Sequence, residues 1–272
     1  MNLLVPILSL TGLGIIFGVG LAVASKKFCV VSDPRLEKIY AQLPGANCGA
    51  CGMPGCMGFA EGLIQGTCTV DKCAVSEEGS RKEIASILGA EAKTKIKKIA
   101  VLLCHGGSKR VTNKLLYSGI KDCIAANAVL GGPKACAYGC IGYASCVKVC
   151  PFGAITMNEE SLPLVNEKKC TACGKCVTIC PKKLFILTPV ASIVAVACSS
   201  HDTGKDTKAV CPVGCIACKI CEKACKFDAI HVTNNLAVID YTKCTSCGAC
   251  VKTCPAKTIK MRQLPLKKTS TK

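Results

Sequence analysis

From Leu3 to Ser25 the chain carries no charged side chain (LLVPILSLTGLGIIFGVGLAVAS). A 23-residue run of this kind, wound as a helix at about 1.5 Å per residue, reaches about 34 Å and predicts one crossing of a bilayer. Lys26 and Lys27 follow at once, while no Lys or Arg precedes the run. This asymmetry predicts that everything beyond the span lies on the cytoplasmic side of the plasma membrane. Ala22-Val23-Ala24 resembles a signal-peptide cleavage site, but the basic leader segment is missing and the apolar run is too long for one. Gly14-x3-Gly18 gives the span a smooth face against which another membrane helix can pack.

After the span the pattern changes. Asp33 and Pro34 open a predicted helix over Arg35–Gln42, Pro44-Gly45 reads as a turn, and Met57–Gly66 reads as a second short helix. Glu77–Lys98 is charged and alanine-rich, which suits a surface helix or linker. Two short apolar runs then stand out, Ile99–Cys104 and Val194–Cys198. Each leads into a cysteine-rich stretch, and the order and spacing of cysteines correspond between the two, so one plan is written twice. The basic segment 263–272 reads as a solvated tail.

Composition decides what can hold such a chain together. Six Phe, five Tyr and no Trp leave few large side chains for a core, whereas 26 residues are Cys. Bound metal can replace part of the missing apolar burial, because thiolate ligation contributes folding free energy directly. Cys170-x2-Cys173-x2-Cys176-x3-Cys180-Pro181 and Cys244-x2-Cys247-x2-Cys250-x3-Cys254-Pro255 have the spacing that holds [4Fe-4S] cubanes. Disulfide frameworks belong to short secreted chains and lack this spacing, and a tetrahedral zinc site needs fewer cysteines than these runs supply. The formal charge of +18 counts each thiol as neutral; five or six clusters at about −2 each would bring it to roughly +6 to +8. Lysine therefore balances clusters in large part, and the remainder favours an acidic partner over nucleic acid, for which stacking aromatics are lacking. Neither a G-x-G-x-x-G turn nor a Walker loop is present, so no nicotinamide, flavin or nucleotide site is expected. His105, His201 and His231 stand alone and read as surface or packing residues. No catalytic residue is expected.

Cys48-Gly49-Ala50-Cys51-Gly52-Met53-Pro54-Gly55-Cys56 is a further ligand run, its glycines letting backbone pass close to a cluster, with Cys68 and Cys73 both in range as a fourth ligand. The repeats resemble bacterial two-cluster ferredoxins, down to Phe152-Gly153-Ala154-Ile155 and Phe227-Asp228-Ala229-Ile230 after the first motif of each. In that family three cysteines of one motif share a cubane with the last cysteine of the other. The resemblance implies one site at Cys215, Cys218, Cys221 and Cys254 and another at Cys225, Cys244, Cys247 and Cys250. In the first copy Tyr143 stands where the second has Cys218. With Cys136 as the substitute, the sites are Cys136, Cys140, Cys146 and Cys180, and Cys150, Cys170, Cys173 and Cys176. Lys226 replaces the usual proline after Cys225 and removes a turn constraint but no ligand. Cys104, Cys123, Cys198 and Cys211 are left over, two from each copy, the right number for a sixth cluster bridging the repeats; buried structural thiols are the plainer alternative. Cys29 and Cys68 have no assigned role.

The whole arrangement, with Leu162-Pro163-Leu164-Val165 and Asn234-Asn235-Leu236-Ala237 in the repeats, resembles the B subunit of the Rnf complexes in their longer, two-copy form. The resemblance implies an α+β fold: a transmembrane helix (1–25), a linker (26–36), a small mainly helical [4Fe-4S] domain (37–80), a charged linker or helix (81–98), and two tandem ferredoxin-like domains (99–190 and 191–262). It favours Cys73 over Cys68 beside Cys48, Cys51 and Cys56. It implies an iron–sulfur relay within an ion-translocating ferredoxin:NAD oxidoreductase, with acidic reduced ferredoxin as donor and other membrane subunits as partners. A polyferredoxin-type subunit of a hydrogenase or dehydrogenase, a metal-storage role, and the related complex that reduces a redox-sensing regulator are the competing readings.

Overall fold

The structure, a computed structural model, describes residues 4–27, 33–91 and 96–262. Cys29 and the basic tail lie outside the described residues. Helix α1 (Leu4–Lys27) follows from the uninterrupted apolar run and closes on Lys26 and Lys27, cations set against the negative end of the helix dipole. The segment Ile7–Lys27 is long and apolar enough to cross a membrane and buries nothing against the rest of the chain. Leu10, Ile16 and Phe17 are all exposed, an arrangement suited to lipid rather than water.

A helical domain follows. Helix α2 (Pro34–Gln42) starts where the Asp33 carboxylate accepts the Arg35 N–H at 2.8 Å and Pro34 fills the first turn. Helix α3 (Gly55–Ile64), a 3₁₀ turn at Val70–Lys72 and helix α4 (Glu78–Leu88) complete the domain. Ile39, Phe59, Ala60 and Ile84 form its core, each at most 1% exposed. The stretch after Glu77 therefore differs from a surface linker: α4 places Ile84 in the domain core and buries Ala85 and Arg81, then stops at Gly89, whose φ of +66° ends the helix. Sequence missed this because only one side of α4 is apolar, and it faces inward.

The two copies share one topology. In the first, β1 (Lys98–Leu102) leads through α5 (Cys123–Ala128) and α6 (Ser145–Lys148) to the hairpin β2 (Ile155–Met157) and β3 (Pro163–Val165), then α7 (Lys175–Ile179) and β4 (Phe185–Pro189). In the second, β5 (Val194–Val196) leads through α8 (Gly204–Val210) and α9 (Ile220–Ala224) to the hairpin β6 (Ile230–Thr233) and β7 (Leu236–Ile239), then α10 (Ala249–Thr253) and β8 (Ile259–Met261). First and last strands pair antiparallel in each copy, Ile99 opposite Thr188 and Val194 opposite Met261. The β6–β7 turn carries Asn234 and Asn235 at positive φ, the conformation that matches the twist of a two-residue hairpin.

Between the copies, Ile99, Val101 and Ala195 form a small buried cluster. Arg262, just past β8, reaches Glu167 of the first copy at 3.0 Å and also donates to the carbonyls of Val190 and Ser192. Only 14% and 18% of the two charged side chains remain exposed.

Candidate iron–sulfur sites

Four cysteines set the corners of the repeats: Cys150, Cys180, Cys225 and Cys254. Three residues beyond each, the chain takes a left-handed conformation, at Gly153, Lys183, Asp228 and Lys257. That bend turns the next amide back, so the N–H groups of Ala154, Leu184, Ala229 and Thr258 each donate to the corner sulfur at 3.4 Å. Such bonds favour the thiolate over the thiol. Lys226 leaves this corner intact, because the bend resides in Asp228 and not in the proline it lacks.

A second regularity surrounds each motif's middle position. Ala172 and Gly174 flank Cys173, Ser246 and Gly248 flank Cys247, and Ala217 and Lys219 flank Cys218, all at positive φ. Gly142 and Ala144 flank Tyr143 in the same way. The backbone there is that of a ligand loop whose ligand has been replaced.

Five cavities of nearly equal size lie in the repeats, each with an empty volume of 330–360 Å³ including the solvent at its mouth, and each lined by four cysteines. In the second copy, Cys215, Cys218, Cys221 and Cys254 surround one, and Cys225, Cys244, Cys247 and Cys250 the next. In the first copy, Cys150, Cys170, Cys173 and Cys176 surround another. These are the groupings expected from the sequence.

The other first-copy site differs from expectation. Its cavity is lined by Cys123, Cys140, Cys146 and Cys180, with Cys136 elsewhere. Cys136 lies instead with Cys104, Cys198 and Cys211 around the fifth cavity, between the copies. The two thiols have exchanged places, for a physical reason. A tight turn, with the Gly139 N–H on the Cys136 carbonyl, separates Cys136 from Cys140 and sends their side chains to different cavities. Cys211 and Cys215 are separated likewise by the Gly214 N–H on the Cys211 carbonyl. Cys123 is brought in by a short network: Asp122 caps α5 by accepting from Ile124 and Ala125, Ser145 donates to Asp122 at 2.7 Å, and the Cys123 N–H donates to Ser145 at 2.8 Å. Ser145 hydrogen-bonding holds the Asp122 carboxyl below its ordinary pKa. The signal was present in the second copy, where Cys211, four residues before Cys215, already stood outside both expected sites.

In the helical domain, Cys51, Cys56 and Cys73 pack onto the core around Phe59. Asn47 fixes the loop, its side-chain oxygen accepting the Cys56 N–H at 2.7 Å, and a Cβ on Gly55 would come within 2.9 Å of that oxygen. Cys73 lies within electrostatic reach of both Cys48 and Cys51. Cys68 is buried with its thiol directed to the Phe59 carbonyl at 3.6 Å. Cys48 is also within electrostatic reach of Cys173, which sets the helical domain against the first copy's outer cavity. The equivalent outer thiol of the second copy, Cys247, is exposed, as is Cys218.

Nucleophilic or acid–base chemistry is poorly served here. Burial pushes Cys140 and Cys176 up to about 12 and Cys146, Cys198 and Cys221 up to about 11, so these thiols stay protonated at neutral pH unless metal displaces the proton. Among the described residues no three His, Cys, Asp or Glu side chains converge to hold a single metal ion. Four inward-facing thiols around a cavity of this volume, some with amides on sulfur, fit a [4Fe-4S] cluster instead. His201 bonds the Asn234 carbonyl and meets the Tyr138 ring edge-on, and His231 sits beside Glu222 and Asp228.

The Fe-S cluster family model (FeS) matches residues 43–75, and the 4Fe-4S dicluster domain model (Fer4_9) matches residues 135–185 and 214–259. The chain is 47% identical, over 93% of its length and 76% of the relative's, to the B subunit of the Na(+)-translocating ferredoxin:NAD(+) oxidoreductase complex of Acetobacterium woodii. It is 44% identical to the B subunit of the ion-translocating oxidoreductase complex of Methanosarcina acetivorans, covering 93% of this chain and 96% of that one. With the B subunit of the proton-translocating ferredoxin:NAD(+) oxidoreductase complex of Clostridium ljungdahlii the identity is 40%, over 96% and 93% of the two chains.

Proposed function

Because the chain belongs to the family of B subunits of ion-translocating oxidoreductase (Rnf) complexes, we propose that it accepts electrons from reduced ferredoxin and relays them to the membrane subunits of such a complex. The [4Fe-4S] clusters would supply reversible one-electron transfer with no bond made or broken in the substrate. Cys48, Cys51, Cys56 and Cys73 would hold one, and Cys123, Cys140, Cys146 and Cys180 another. Cys150, Cys170, Cys173 and Cys176, then Cys215, Cys218, Cys221 and Cys254, and finally Cys225, Cys244, Cys247 and Cys250, would hold the rest.

The observation that carries this reading is the unequal treatment of equivalent ends. Cys173 is faced by Cys48 of the domain that follows α1, whereas its counterpart Cys247 is open to solvent. An open end suits a soluble donor, and the end joined to the α1 side suits delivery at the membrane. The protein's residues would then keep the sites dry, donate amides to sulfur and present exposed lysines, including Lys219, Lys226 and Lys252, to an acidic donor. In rapid mixing of reduced ferredoxin with the loaded chain, Cys247→Ala is expected to slow the first oxidation of ferredoxin. Cys48→Ala is expected to leave that step unchanged and to block onward reduction of the assembled complex. Equal effects at both ends would remove the assignment of ends.

A further inference from the structure

The fifth cavity is left over from the five sites named above. It falls outside both matched ferredoxin segments at three of its four cysteines, and its ligands are drawn symmetrically, Cys104 and Cys136 from the first copy and Cys198 and Cys211 from the second. Cys104 and Cys198 occupy equivalent places just after β1 and β5, and Cys136 and Cys211 equivalent places four residues before Cys140 and Cys215. The equivalence extends to hydrogen bonds. The Cys140 N–H donates to the Cys104 sulfur at 3.4 Å and the Cys215 N–H to the Cys198 sulfur at 3.3 Å, while the Ser200 N–H adds a second bond to Cys198 at 3.4 Å. A neutral, purely structural thiol gains little from such donors; a thiolate ligand gains more.

A second observation concerns charge. Lys134 is 5% exposed, and its ammonium donates to the carbonyl of Gly106, a residue of the cavity wall, at 3.0 Å. None of the ion pairs among the described residues includes it. Its charge bears on Cys140 and Cys211, one in each of two adjoining cavities. A buried ammonium with no anion beside it is costly, and one carbonyl does not offset that cost. The walls of the cavity contain no carboxylate, so the compensating anion must be what the cavity holds. A [4Fe-4S] cluster with four thiolates, net about −2, is such an anion and matches a cavity equal in size to its neighbours.

We propose that Cys104, Cys136, Cys198 and Cys211 hold a sixth [4Fe-4S] cluster across the junction of the two repeats, its negative charge met by the buried Lys134. On loading, the four thiols give up their protons to solvent and the preassembled cluster supplies iron and sulfide. The site rests on the iron–sulfur reading above, and would join the two ferredoxin-like halves that the other sites leave as separate pairs.

The test is iron and sulfide analysis of the full chain, purified and reconstituted without oxygen. About 24 iron atoms per chain are expected, falling to about 20 in Cys104→Ala/Cys198→Ala. A count of about 20 that the double substitution leaves unchanged would overturn the site while leaving a five-cluster relay standing. Spectroscopic redox titration separates a charge-balancing lysine from a merely structural one. Lys134→Gln is expected to move one cluster's midpoint potential to more negative values, because the reduced form loses a cation, and Lys134→Arg is expected to restore it. Potentials unaffected by Lys134→Gln in a fully loaded chain would overturn the role given to Lys134.

Discussion

Single positions explain how the ligand loops tolerate substitution. Tyr143 keeps the backbone of the cysteine it replaces, flanked by the same left-handed residues, and Cys123 takes over from α5. Cys123→Ala is therefore expected to lose about four iron atoms per chain, and Cys123→Ala/Tyr143→Cys to regain them, as read by iron content and visible absorbance. The corner residues give a second expectation. Gly153 has a φ of +55° and open space where a Cβ would go, so Gly153→Ala adds only backbone strain, about 1 kcal/mol. It should appear as a lower guanidinium midpoint for loss of cluster colour. Residue types alone made the four-cysteine runs legible, because their spacing is local. The exchange of Cys136 for Cys123 was not, because it depends on a tight turn and on the Asp122–Ser145 network, which joins residues 23 apart in sequence.

Among the elements, α1 and the four short sheets were readable from pattern, since an uncharged run and repeated apolar strands leave few alternatives. The role of α4 was not readable, because its contribution rests on which face meets α2 and α3. The strands are too short to be stable alone, and each copy depends on first-to-last pairing plus ligation. Where Arg262 crosses to Glu167, Val190 and Ser192, one side chain ties β8 of the second copy to the first. Arg262→Ala leaves Glu167 mostly enclosed without its partner, with an expected cost of about 1–3 kcal/mol. Limited proteolysis between the copies should speed up accordingly, and unchanged cleavage near residue 190 would show that the tie is unimportant.

Across the molecule, charge is organised by the clusters. A formal +18 in the thiol form becomes roughly +6 to +8 once five or six sites are loaded, which leaves a surface suited to an acidic donor at the open end. Combined Lys219→Glu, Lys226→Glu and Lys252→Glu is expected to slow ferredoxin oxidation about tenfold at low ionic strength, with the difference closing toward about 0.5 M salt, where screening shortens to a few ångströms. A rate insensitive to both charge and salt would locate the donor elsewhere. The interleaving of the ligands also bears on how the chain is made. Cys48 to Cys73 emerge from the ribosome together, but Cys123 must wait for Cys180, Cys215 for Cys254, and Cys104 for Cys211. The helical domain is the part that can be loaded while translation continues. Synthesis of the repeats must run nearly to its end before their cavities close, by which time α1 has long been available to the membrane, so most iron is expected to be inserted beside the bilayer.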